Sequence, residues 1–467
     1  MGQVWWYGSL IALGALLGPR DFGTIAAGLV VVQIAQFLMD SGTRGSLIVA
    51  PKLSLELLRR AFAFNIATGV ALTILVAGLA QPFVDAFAPG GQADAIRFLA
   101  LSVALSSLVP APMAILQRAL DFKRQATIMG AAATTASIAA IVAALLGAGI
   151  WALALRQVLF QLVIAGMSWW SVRDRLPGRR DPSERRGPLR QEQAFWFFVV
   201  SLSQFLALNV DYLIVGGVTD ARRLGLYSLA FTIAFAPLTQ FSAQIGKVVF
   251  PAVAATTDRT VVASRALKAT RLLALVIAPC VPPAIALAPA ILPHLFGSEW
   301  TSMVLPFQIL LVAGMGQALL TVVQESLSGT GNVAFFATTS FVWLSAMVVA
   351  LLVLVHVDGI RGAALAHVLL LVPLAAAYAT GGARRIGLRA RSLVRGLGGV
   401  LGAVTMEAVL VAATIAALRG VDVQRDVASV AGALVGIVAV AAMLWRLPDS
   451  PVLDARAAIG AVRRRPA

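Results

Sequence analysis

Cysteine occurs once in 467 residues, at Cys280, and histidine three times, at His294, His356 and His367. A disulfide framework and a cysteine-based metal site are thereby excluded, and histidines so far apart make no ligand motif. Charge is scarce as well. Asp, Glu, Lys and Arg supply 12% of the chain while 59% is apolar, and a soluble domain carries about twice that charge. This composition excludes a soluble enzyme, a disordered protein and a fibrous one. Met1 runs into apolar sequence without a basic leader, so no cleavable signal is read. Only four of the 37 basic residues are lysine, and acidic residues number 21, leaving a formal charge of +16. In a soluble protein that excess would point to nucleic acid; here it is first set against membrane topology.

What the chain does have is long apolar runs. At about 20 residues per crossing, they predict an all-α polytopic membrane protein with about 14 transmembrane helices. The expected spans are roughly 3–18, 22–49, 61–82, 95–117, 125–147, 150–172, 193–218, 224–250, 270–293, 303–327, 333–356, 361–382, 393–418 and 427–445. The second is read as interrupted at Asp40-Ser41-Gly42, the eighth contains Pro237, and the ninth carries Pro279, Pro282, Pro283 and Pro289, so bends are expected there. The longest outer connection is about residues 83–94, offering only Asp85 and Asp94. The domain reading is a six-helix bundle over 1–172, a basic linker over 173–191 and a second six-helix bundle over 192–383. Two further helices occupy 384–446, and a basic tail 447–467.

Basic residues set the orientation. With a cytoplasmic N-terminus and alternating connections, 27 Lys and Arg fall on cytoplasmic segments. Only seven fall outside: Arg20, Arg97, Arg222, Arg223, Arg361, Arg419 and Arg425. Arg44, Arg156 and Lys247 lie within spans. This asymmetry is the positive-inside signature; it places both termini in the cytoplasm and leaves no need for a nucleic-acid partner. The arginine-rich linker reads as solvated chain, with anionic lipid headgroups as a second partner.

Two stretches look alike across the linker. Gly18–Pro51 and Asp220–Ala252 each open on a polar turn, then a bulky apolar residue and glycine (Gly23, Gly225). Each continues as a long apolar helix, reaches a glycine beside a basic residue (Gly42 and Arg44, Gly246 and Lys247), and ends at proline (Pro51, Pro251). Six helices separate the copies, so both enter the membrane in one direction. That implies parallel repeats about an axis normal to the membrane, with a substrate site between the halves.

At these residues the chain resembles a known family. The string Leu16–Gly23 (LLGPRDFG) with Gln36–Gly45 is similar to the opening signature of Wzx-type polysaccharide flippases of the MOP exporter superfamily. Similar family sequence recurs at Asn209–Gly216, Leu224–Ala230, Phe250-Pro251-Ala252 and Leu295–Trp300. The resemblance implies two six-helix bundles around a central cavity, with two extra C-terminal helices in the longer members. It also implies transfer of a polyprenyl-pyrophosphate-linked oligosaccharide from the cytoplasmic to the periplasmic leaflet of a bacterial inner membrane, beside a glycan polymerase partner. Family members have a longer first helix, so the natural start is expected upstream of Met1.

Ionisable groups inside spans are costly and functional by default. A pyrophosphate crossing the apolar layer needs cations to replace its water and counterions. Arg44 and Lys247 sit at matching places in the two repeats, and Arg156 lies near the outer end of its helix; these three are the headgroup candidates, set against snorkelling to the interface. Gln36 and Gln240 are candidate cavity-lining residues for sugars. Asp40 (one turn from Arg44), Asp211 (a partner for Arg156 or a cation) and Glu325 are coupling or gating candidates. Glu325 also reads as a solvated helix end, and Glu407 as a partner for another helix or for lipid. Trp5, Trp6 and Tyr7 read as an interface belt. No cofactor is expected beyond a coupling proton or sodium ion. A lipid II flippase and a multidrug exporter of the same superfamily are the competing readings; a membrane glycan polymerase or glycosyltransferase would need catalytic groups on a larger outer loop.

Overall fold

The computed structural model describes residues 2–49, 55–119, 121–175, 202–203, 205–206, 209–256, 258–421 and 423–446. Every regular element among them is helical. Among the described residues, ten helices are long and apolar enough to cross a membrane, eleven when the bent pair Ala93–Ser106 and Pro110–Arg118 counts as one span. The chain is thus a multi-pass membrane protein. The expected count of fourteen is not confirmed: Val333–Arg385 counts once, the first apolar helix, Trp5–Leu16, is short, and residues 193–201, 204, 207 and 208 lie outside the described residues, as do most of the linker and the tail.

Packing divides the chain into two units, residues 1–198 with 205–229, and 199–204 with 230–467. The first holds α1 (Gly2–Leu16), α2 (Pro19–Val49), α3 (Leu55–Gly78), α4 (Ala80–Phe87), α5 (Ala93–Ser106), α6 (Pro110–Arg118), α7 (Phe122–Leu145), α8 (Ile150–Val172) and α9 (Val210–Val218). Helix α10 (Ala221–Ala234) begins in the first unit and ends in the second. The second unit continues with α11 (Ala236–Ala254), α12 (Arg259–Ile277), α13 (Val281–Phe296), α14 (Val304–Gly329), α15 (Val333–Ala377), α16 (Ala390–Gly420) and α17 (Arg425–Arg446). Apolar clusters fill each unit, one around Leu116, Ile128 and Ile164, another around Leu273, Val322 and Tyr378.

Local chemistry sets the helix ends. Pro110 opens α6 without losing a needed donor. Asp258 caps α12, accepting from the Thr260 amide at 2.8 Å and hydroxyl at 2.7 Å. Those hydrogen bonds hold its carboxyl below the usual carboxylate range. Pro237 lies in the first turn of α11, after the break at Phe235, and a 3-10 turn over Ala278–Cys280 divides α12 from α13, so both helix breaks fall beside the prolines. Two expectations are corrected. Helix α2 runs unbroken through Asp40-Ser41-Gly42, since a glycine within a long helix costs only about 1 kcal/mol. The connection read at 83–94 narrows to residues 88–92, because α4 runs to Phe87 and α5 starts at Ala93.

One element folds back on itself. Straight, the 45 residues of α15 would reach about 65–70 Å, over twice the ~30 Å hydrocarbon layer. Asp358 and Gly359 leave the helical region, Gly359 at φ +54°, and a Cβ on Gly362 would stand 1.9 Å from the Leu354 carbonyl oxygen. Phe335, near the start, meets Tyr378, just past the end, with ring centroids 6.4 Å apart. The element is a helical hairpin with a two-residue connection.

Within the first unit, α2 and α10 cross without side chains between them. A Cβ on Gly23 would lie 1.7 Å from the Ala221 carbonyl oxygen, and one on Gly225 1.6 Å from that of Pro19. The two glycines paired by the sequence repeat face each other across this crossing, each four residues after a small or rigid residue, the spacing that brings membrane helices closest. The Ala221 amide donates to the Pro89 carbonyl at 3.2 Å, and Arg20 donates to the Gly90 carbonyl.

Candidate functional site

Helix α11 packs against α14 through Ser242, Gly246, Val249 and Val253, all buried and spaced to share one helix face. Ser242 and Thr321 hydroxyls lie 3.0 Å apart. Gly246 leaves room for Glu325, whose Cγ would be 2.8 Å from an added Cβ. The other face of α11 is polar and exposed: Gln240, Gln244 and Lys247 recur at i, i+4 and i+7, and the Lys247 ammonium donates to the Gln244 carbonyl oxygen at 3.1 Å. No carboxylate pairs with Lys247 among the described residues. A lysine and two amides facing hydrocarbon would cost several kcal/mol, so this stripe is suited to water and not to lipid. The structure therefore brings Gln240, Lys247 and Glu325 onto one helix pair. Glu325 is half-buried against Gly246.

The first unit holds its ionisable groups apart. Arg156 on α8 is 5% exposed; one nitrogen donates to the Trp6 carbonyl at 2.8 Å, and the guanidinium lies 3.5 Å from the centre of the Trp6 ring. Its cationic charge is met by a carbonyl dipole and an aromatic face, not by Asp211 as one reading had it. Asp211, fully buried on α9, accepts from the Tyr227 hydroxyl at 2.8 Å and the Tyr212 amide at 2.9 Å. Gln36 is half-buried on α2, and its side-chain nitrogen is buried without a partner. Asp40 and Arg44 lie on the same helix, with side chains outside the described set.

Sequence reasoning assigned Trp6 to an interface belt and gave Tyr227 no role. Trp6 lies 150 positions from Arg156, and no local pattern links them. The signal for Tyr227 was available: a carboxyl in an apolar span needs a donor, and a tyrosine on the next helix is one.

The family profile described as "Polysaccharide biosynthesis protein" matches residues 12–305. The chain is 23% identical over 312 residues to the lipopolysaccharide biosynthesis protein WzxC of Escherichia coli (strain K12), covering 66% of this chain and 62% of that protein. It is 23% identical over 289 residues to the succinoglycan biosynthesis transport protein ExoT of Rhizobium meliloti (strain 1021), covering 62% and 58%. It is 26% identical over 294 residues to the teichuronic acid biosynthesis protein TuaB of Bacillus subtilis (strain 168), covering 61% and 59%. The chain thus spans about six-tenths of the length of these relatives. In fold it is similar to the lipid II flippase MurJ in its inward closed conformation, at TM-score 0.67 and 11% identity over 95% of this chain and 97% of that one. It is also similar to an inward-facing MATE multidrug transporter of the MOP superfamily, at TM-score 0.63 and 15% identity over 83% and 95%. With its fold that of the MOP transporters and the family profile covering residues 12–305, the chain belongs to the polysaccharide biosynthesis protein family.

Proposed function

We propose that the protein is a flippase that carries a polyprenyl-pyrophosphate-linked oligosaccharide from the cytoplasmic to the periplasmic leaflet by alternating access, for exopolysaccharide or O-antigen assembly. The observation that carries this reading is the exposed polar stripe Gln240–Gln244–Lys247 within an apolar span. A cation without a carboxylate partner suits a pyrophosphate, and the neighbouring amides suit sugar hydroxyls. The relatives named for lipopolysaccharide, succinoglycan and teichuronic acid synthesis support the same cargo class. The chain acts as a carrier, not an enzyme: its polar groups hold and release the cargo without breaking a bond in it. The reading places it in a bacterial inner membrane with both termini cytoplasmic, and a glycan polymerase on the outer face would consume the product.

The test uses proteoliposomes holding a fluorescent polyprenyl-pyrophosphate oligosaccharide and an external quencher. Wild type is expected to expose the lipid to the quencher. Removing a charged hydrogen-bond partner costs ~1.5–3 kcal/mol, so Lys247→Ala is expected to weaken apparent affinity roughly ten- to a hundredfold, with Arg44→Ala falling likewise. Unchanged transfer in both variants would discard the headgroup site; no transfer by wild type would refute the flippase reading.

A further inference from the structure

Glu407 lies in the middle of α16, fully buried, and neither carboxyl oxygen has a hydrogen-bond partner. It is twelve residues from both Arg395 and Arg419, about 18 Å along the helix in either direction. Opposite it on α17 is Gly436, where an added Cβ would stand 3.3 Å from the Glu407 Cγ and 2.4 Å from Val411. Gly436 is itself midway along α17, about 15 Å from Arg425, Asp426 and Arg446. The carboxyl therefore sits near the centre of the apolar layer, in a seam closed by a glycine.

Among the described residues, the surrounding elements offer it no counter-charge. The nearby cluster is Ala274, Ala278, Val400, Ala403, Val404 and Val440. The Cys280 thiol, on the turn before α13, donates to the Val276 carbonyl at 3.4 Å. Leu267 packs on Gly396, which sets α12 level with α16 and leaves Arg271 about 10 Å toward the cytoplasm; Lys268, Arg265 and Arg259 lie further still. Arg389 and Arg391 lie beyond Arg395 at the same end. His294 ends α13, where it meets Asp426 at 3.8 Å, and Glu325 lies near the cytoplasmic end of α14. A carboxylate here would stand unpaired in hydrocarbon, whereas the neutral acid fits.

We propose that Glu407 is a proton-binding site and that loading and release of its proton control the packing of α16 on α17. On release, the O–H bond breaks, the proton passes to water, and the carboxylate that remains draws water into the seam. The adjacent face of α16 (Val404, Ala408, Val411) walls a mostly apolar cavity of about 520 Å³ shared with α13, α14 and the start of α17, with Arg419 and Arg425 also in its lining, so parting the seam reshapes that cavity. The link from proton to transport rests on the flippase reading; the proton site does not.

Two measurements separate these. Infrared difference spectra of the full-length protein in lipid, taken across a pH titration, are expected to show the C=O stretch of a protonated carboxylic acid. That band should be missing from Glu407→Gln, whose neutral amide preserves the fold and the thermal midpoint. A spectrum in which the variant keeps every acid band overturns the proton site, whatever the cargo. In the proteoliposome assay, wild-type transfer is expected to change several-fold when the pH difference across the membrane is reversed, and Glu407→Gln to transfer lipid with no such response. An equal response in both proteins overturns the control of transport while leaving the flippase reading intact.

Discussion

Replacing Gly23 with alanine tests the crossing of α2 and α10 directly. The new Cβ would lie 1.7 Å from the Ala221 oxygen, 2.6 Å from its carbon and 2.8 Å from the Gly225 nitrogen. Carbon and oxygen in contact stay about 3.3–3.6 Å apart, so the backbones must separate by roughly 1.5–2 Å at this point. Separation removes the dispersion contacts of the crossing and strains the Ala221–Pro89 hydrogen bond. Overpacking of this kind costs typically ~1–3 kcal/mol, while alanine returns up to ~1 kcal/mol through helix propensity. Gly130, within α7, has nothing within 4 Å of its added Cβ, so Gly130→Ala keeps the propensity gain without the clash. Apparent thermal midpoints of the purified proteins in one lipid mixture should therefore rank Gly23→Ala below wild type and Gly130→Ala at or above it. Gly225→Ala should fall with Gly23→Ala, and the double variant should lose less than the sum, because one substitution has already parted the helices. A Gly23→Ala protein as stable as wild type would refute the reasoning.

Tyr227→Phe keeps the ring but removes the hydroxyl that donates to Asp211. A buried carboxyl losing a donor is expected to cost ~1.5–3 kcal/mol, and a double-mutant cycle with Asp211→Asn should return a coupling above ~0.5 kcal/mol; additive losses would count against the pair. At Asp258 the depressed folded-state value means that its contribution to stability is present above the unfolded carboxylate range and disappears as pH falls through the folded value. Asp258→Asn keeps a cap but carries no charge, so its midpoint should depend less on pH on the acid side than that of wild type, and identical acid limbs would contradict the linkage.

Composition and the long apolar runs made the helical membrane class legible, because hydrocarbon leaves the backbone few ways to satisfy itself. The prolines at 237 and 279–283 marked real breaks. Asp40-Ser41-Gly42 did not, since three weak helix formers do not interrupt a helix whose backbone hydrogen bonds have no competitor in lipid. Gly23 and Gly225 were readable as a pair from the repeat, yet their direct contact was not: a glycine that admits a neighbouring backbone looks in sequence like any other. At the candidate site, Lys247 and Gln240 were visible as helix-spaced polar residues. The Glu325–Gly246 and Arg156–Trp6 contacts join positions 79 and 150 residues apart, and no period along one helix encodes them.

The two-residue link in α15 has a consequence for how the chain is made. Asp358 and Gly359 are too few to form a loop that could wait for the second span. If the link lies on the outer face, as the proposed topology has it, the two halves leave the translocation machinery together, as a hairpin driven by the most apolar stretch among the candidate spans and carrying Asp358 and Arg361 with it. Lengthening this connection with an inserted tag would uncouple the two insertions and allow the first half to settle in the bilayer alone.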